Sequence, residues 1–147
     1  MKNILALAIA VTMTAAIATP LMLVSNEEML ASNSAPTPIA PKVVTDKDAP
    51  VIHVLTPKLP GSVSSPTPIE LKFQATPPGK VKPETFKVLY GNLQIDITRR
   101  ILSVTKVSES GVQVQEASLP KGKHKLLMLI EDSEGRIGNR QISFEVN

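Results

Sequence analysis

Ile69-Glu70-Leu71-Lys72-Phe73-Gln74-Ala75 alternates apolar and polar side chains without a break. Successive side chains of a strand point to opposite faces, so this stretch has one oily face and one wet face, as a half-buried β-strand does. The same period of two returns in Phe86-Lys87-Val88-Leu89-Tyr90, Leu93-Gln94-Ile95-Asp96-Ile97, Val112-Gln113-Val114-Gln115 and Ile142-Ser143-Phe144-Glu145-Val146. Val51 to Leu55, apolar except for His53, reads as the first strand. Leu126 to Ile130 is apolar throughout, which predicts a central strand covered on both faces or flanked by an interface. Turn-formers separate these runs: Thr56-Pro57, Leu59-Pro60-Gly61, Pro77-Pro78-Gly79, Gly91-Asn92, Ser110-Gly111, Pro120-Lys121-Gly122 and Glu134-Gly135. About seven short strands with turns between them predict an all-β, antiparallel β-sandwich. From Thr98 to Val107 the expectation is a short helical turn or irregular crossover, with a strand through Leu102, Val104 and Lys106 as the alternative.

Composition agrees with one such domain. The 147 residues are 42% hydrophobic and 20% charged, a balance that folds rather than stays disordered. Without Cys there is no disulfide, thiolate metal site or Cys nucleophile. Two His, one Tyr and no Trp leave little for acid–base, metal or stacking chemistry, and 13 Pro argue against a helical bundle. Phe73, Phe86 and Phe144, the three Phe of the chain, all fall on predicted inward faces.

Met1-Lys2-Asn3 carries one positive charge, and Ile4 to Ala18 carries none. Ala16-Ile17-Ala18 fits the small-x-small rule for cleavage, so residues 1–18 read as a secretory signal. The uncharged run continues to Val24, long enough for an uncleaved anchor as the alternative. Residues 19–49 are rich in Ser, Ala and Pro and read as a flexible linker, which leaves 50–147 as the folded domain. The expected location is the periplasm or cell exterior, with membrane contact only through an uncleaved N-terminus.

Several segments resemble bacterial exported immunoglobulin-like domains. Ala49-Pro50-Val51-Ile52-His53-Val54-Leu55-Thr56-Pro57 and Ile69-Glu70-Leu71-Lys72-Phe73 are similar to first and second strands of that group, and Pro83-Glu84-Thr85-Phe86-Lys87-Val88 to a third. Near the end, Leu119-Pro120-Lys121-Gly122-Lys123-His124 and Ile130-Glu131-Asp132-Ser133-Glu134-Gly135-Arg136 resemble a Pro-x-Gly-x-His turn feeding a strand that ends in an Asp-x-x-Gly hairpin. The resemblance implies an Ig-like or fibronectin-type sandwich and is nearly silent on activity, since the fold hosts many roles. Periplasmic copper-binding proteins share the opening and the Phe-x-Val ending. Their His ligands are not matched: no His precedes His53, Arg136 stands beside the Asp-Gly turn, and Met128 is alone in its strand.

The candidate sites are few. His53 with His124 gives two metal ligands where zinc sites need three or four, so each reads better as structural, His124 donating to a turn carbonyl. Asp132 reads as the anchor of a hairpin turn. Lys121, Lys123 and Lys125 alternate and would aim to one side, within a domain of 13 basic and 9 acidic residues from Pro50 onward. Nucleic acid is not expected, because these cations lack interleaved aromatics. No nucleophile elbow, His-Glu-x-x-His or phosphate loop occurs. The reading is therefore a non-enzymatic module without cofactor that binds an envelope or secreted protein. Leu127 and Leu129, with Lys121, Lys123 and Lys125, are the candidate partner-binding residues. A periplasmic ligand- or metal-binding sandwich, copper-carrier-like, is the alternative.

Overall fold

The computed structural model describes residues 20–39 and 46–147. The signal expected at 1–18, and residue 19 and 40–45 of the expected linker, lie outside the described residues. In chain order the elements are β1 (Leu21–Met22), α1 (Asn26–Ser34), β2 (Val51–Thr56), β3 (Ser62–Val63), β4 (Thr67–Gln74) and β5 (Val81–Tyr90). There follow β6 (Ile95–Asp96), α2 (Thr98–Leu102), β7 (Gly111–Ser118), β8 (Gly122–Asp132) and β9 (Ile137–Val146). They form two sheets, one in the order β1-β7-β4-β2 and the other β3-β9-β8-β5-β6. The all-β sandwich read from the sequence is the fold observed. The short helical turn expected after Ile97 is α2.

Apolar alternation explains how the sheets face each other. Ile52, Leu71, Phe73, Val112, Val114 and Ala117 line the inner face of the four-stranded sheet, and Phe86, Val88, Tyr90, Leu126, Met128 and Ile130 that of the five-stranded one. Phe73 and Phe86 meet across the core with ring centroids 5.4 Å apart. Burying each such ring contributes roughly 1.5–3 kcal/mol. Pro83 cannot donate to a ladder and sits where the β5–β8 register slips, between Lys82 and Lys87. Thr85 fills the break: its hydroxyl donates to the Lys82 carbonyl at 2.6 Å and accepts the Glu131 N–H at 2.9 Å.

Three expectations are corrected. Leu93 and Gln94 do not begin a strand; they belong to a turn, Gln94 adopts φ 51, and β6 is only two residues long. Leu126 to Ile130 is not covered on both faces, since Leu127 and Leu129 are only half-buried.

The third correction concerns the linker. Residues 21–35 are part of the sandwich. Leu21 and Met22 pair in parallel with Ala117 and Ser118, and Leu23 and Val24 are each 1% exposed within the core. The run that sequence reading extended to Val24 as an anchor thus ends inside the fold. Ser25 then starts α1 through a capping box, its hydroxyl accepting the Glu28 N–H at 3.1 Å while Glu28 accepts the Ser25 N–H at 2.9 Å. Gly91, at φ +64, leaves room for Ser32; a Cβ there would lie 1.8 Å from the Ser32 hydroxyl. Among the described residues, no helix is long and apolar enough to cross a membrane.

Candidate functional site

β8 is the central strand of the five-stranded sheet, and its alternation separates packing from display. His124, Leu126, Met128, Ile130 and Asp132 are buried, while Lys123, Lys125, Leu127, Leu129 and Glu131 face outward. The structure therefore brings four of the five candidate partner-binding residues, Lys123, Lys125, Leu127 and Leu129, into one row on the outer face. Lys121 is exposed in the turn just before the strand. Register adds Leu89 of β5 beside Leu127, and Lys87 beside Leu129. On the other flank stand Gln141, opposite Leu127, and Ser143, opposite Lys125. Lys125 also donates to the Asn92 side chain at 3.3 Å. The result is a patch of three leucines with Lys87 on one flank, Lys123 and Lys125 at one end beside Glu145, and Glu131 at the other end.

The two histidines do not come together. His53 is exposed on the outer face of β2, where its Nε2 lies 3.1 Å from Gln74 Oε1. His124 is 2% exposed and inward-facing in the other sheet. Its Nε2 lies 2.7 Å from the Pro120 carbonyl, which can only accept, so Nε2 carries the proton. Nδ1 then accepts the Tyr90 hydroxyl at 2.9 Å. The ring stacks on Phe144 at 5.5 Å. Both nitrogens are occupied, as the turn-carbonyl reading requires. Burial lowers the His124 pKa, partly offset by the Pro120 carbonyl, and burial raises Tyr90 to about 12.

Asp132 is fully buried at the β8–β9 hairpin. Its Oδ1 accepts the N–H groups of Glu134 and Arg136, each at 3.0 Å, and its Oδ2 accepts Arg136 Nε at 2.8 Å. Burial pushes this carboxyl upward, but the Arg136 N–H, its guanidinium and the Glu134 N–H outweigh that and hold it below its ordinary value. Arg136 Nη2 also donates to the Thr76 carbonyl at 2.9 Å, tying the hairpin to the β4–β5 loop. Asp132 is thus the hairpin anchor that its sequence position predicts. Among the described residues, no three His, Cys, Asp or Glu side chains gather into a metal-holding group.

Sequence reasoning missed the polar clamp between α1 and the sandwich. Arg100 Nη1 donates to the Leu23 carbonyl at 2.7 Å and to Glu28 at 2.8 Å, with a second bond from Nη2 to Glu28. Arg100, then the Ser25 N–H, lowers the Glu28 pKa to about 2. The Ser25-x-x-Glu28 capping signature was the available signal.

No family model and no curated protein sequence matches the chain. Among solved structures, the endo-beta-1,4-mannanase from Thermotoga petrophila is similar at TM-score 0.49 and 10% identity, over 69% of this chain and 20% of that one. An engineered protein is similar at TM-score 0.46 and 11% identity, over 67% and 20%. The chain thus spans about one fifth of the length of each. CopC from Methylosinus trichosporium OB3b is similar at TM-score 0.44 and 15% identity, over 65% of this chain and 93% of that one.

Proposed function

We propose that this protein is an exported, non-enzymatic immunoglobulin-like module that binds a protein partner at the cell envelope. The observation that carries this reading is the outward row of β8. Leu127 and Leu129, joined by Leu89, present branched apolar side chains on a regular strand surface. Apolar side chains packed at the centre of an interface, with charge at its rim, are the usual anatomy of a binding patch. Lys87, Lys123 and Lys125 stand around the leucines together with Glu131 and Glu145, so the partner that fits is a protein with an apolar centre and a rim of mixed charge. Export rests on the basic, apolar and small-residue pattern of residues 1–18.

A photo-crosslinking residue placed at position 127 in cells tests this. One adduct of defined mass is expected from the envelope fraction, and it disappears when Leu129→Asp is added while the melting transition is retained. A folded protein that yields no adduct overturns the proposal. An adduct of twice the chain mass assigns the face to a second copy instead.

A further inference from the structure

The outward row of β8 runs Lys123, Lys125, Leu127, Leu129, Glu131, so its two ends carry opposite charge and its middle is apolar. A strand advances roughly 3.4 Å per residue, which sets Lys125 and Glu131 about 20 Å apart, each about 10 Å from the midpoint at Met128. Lys125 donates to the neutral Asn92 side chain at 3.3 Å, and among the described residues no ion pair holds its charge. Glu131 Oε1 accepts Lys82 at 3.0 Å, yet the side chain stays 32% exposed and accessible to a second cation.

Such a row is complementary to its own reverse. A two-fold axis crossing β8 at Met128, in the plane between two stacked faces, brings Leu127 over Leu129 of a second copy and Lys125 over its Glu131. Each contact then occurs twice, as such symmetry requires. An axis running along β8 instead would set Lys125 on Lys125 and Glu131 on Glu131, an arrangement that like charges reject. The flanking strands agree with the reversal. Leu89, beside Leu127, meets the aliphatic stem of Lys87, which stands beside Leu129. Ile137, 47% exposed beside Glu131, comes over Ser143, which stands beside Lys125. Stacked sheets cross at about 30°, which displaces positions about 10 Å from the axis by about 5 Å, within reach of Lys and Glu side chains.

We infer that the occupant of the β8 face is a second copy of this chain, stacked antiparallel across Met128. The inference rests on the reading of β8 as a binding face and names the partner. The face comprises one strand row and its two flanks, so the dimer is a weak and reversible one.

Sedimentation equilibrium of the protein purified from the envelope fraction, from about 10 µM to about 1 mM, tests this. The mass is expected to rise toward that of two chains across the range. Lys125→Glu sets Glu on Glu, and Glu131→Lys sets Lys on Lys, so each alone weakens the dimer by about tenfold or more. The double variant, and an equimolar mixture of the two single variants, restore it, because every reversed charge then meets its opposite. Leu127→Asp, on the outer face, abolishes the dimer and decides the matter if Glu131→Lys fails to fold. A monomer at every concentration overturns the inference. So does a dimer that Leu127→Asp leaves intact, or a loss that neither the double variant nor the mixture restores. A position-127 adduct to a different protein overturns the second copy and leaves the reading of β8 as a binding face standing. An internal crosslink, at the mass of one chain, overturns both.

Discussion

Glu28 and Arg100 lie 72 residues apart in the chain and meet at 2.5 Å, joining α1 to α2. Both side chains are partly exposed, so the pair is screened and its worth is modest. Arg100→Ala also leaves the Leu23 carbonyl without its donor. Its expected cost is about 1 kcal/mol of global stability. The larger effect is local: hydrogen exchange across residues 23–34 should rise well before exchange in β8. Uniform exchange across both segments would contradict this attachment.

Tyr90 is the one tyrosine, and no tryptophan is present, so phenolate absorbance reports a single group. Burial holds its pKa at about 12, against an ordinary 10.0. Neutral tyrosine is favoured in the folded state, so this contribution is complete below pH 10 and is lost as pH rises toward 12. Spectrophotometric titration should give a midpoint near 12 in the native protein and near 10 in denaturant. A native midpoint near 10 would mean that the Tyr90–His124 pair faces water.

His124 responds at the other end of the scale. Burial keeps its folded pKa below the ordinary 6.5. Above 6.5 the ring is neutral in both states and stability does not depend on it. As pH falls below 6.5 the unfolded chain takes the proton first, so stability declines toward the folded value, by at most about 1.4 kcal/mol per pH unit. Urea unfolding at about pH 8 and about pH 5 measures the difference.

Asp132→Asn keeps the shape of the hairpin anchor and removes its charge. Arg136 is 17% exposed and would lose its ionic partner in a mostly buried site. A loss of about 2–4 kcal/mol is expected, read as a shift in the urea midpoint. A loss of only a few tenths would reduce the pair to an ordinary surface contact. In the wild-type protein the same carboxylate stabilises above pH 3.8, and its contribution fades as pH falls below that value toward the folded pKa.

Copper and zinc titrated into the protein should give no saturable heat in the micromolar range. His124 has both nitrogens engaged, and His53 lies in the other sheet. Tight binding abolished by His53→Ala would restore the metal-carrier alternative.

Most of the sandwich was legible because its strands carry their signal locally. The alternation from Ile69 to Ala75 gave β4, and that from Ile142 to Val146 gave the end of β9. Pro83 and Thr85 concealed the full length of β5, since a bulge breaks the period of two. The exposed row on β8 was half legible: Leu127 and Leu129 were identified, but an unbroken apolar run cannot say which of its faces is covered. The N-terminal attachment was missed because almost nothing in Leu21 to Ala35 is periodic. Its stability comes from distant partners, among them Arg100, Gly91, Asn92 and Ser118. A capping box predicts that a helix begins, not that it docks.

The pairing of Leu21 with Ala117 has a mechanical corollary. Leu21 and Met22 are held directly against β7, and Leu23 and Val24 behind them are buried, so this end of the described chain is fastened to the sandwich edge. A Gly-Ser insertion between Met22 and Ser25 would part that pairing from the buried Leu23 and Val24 and unseat the body's own edge.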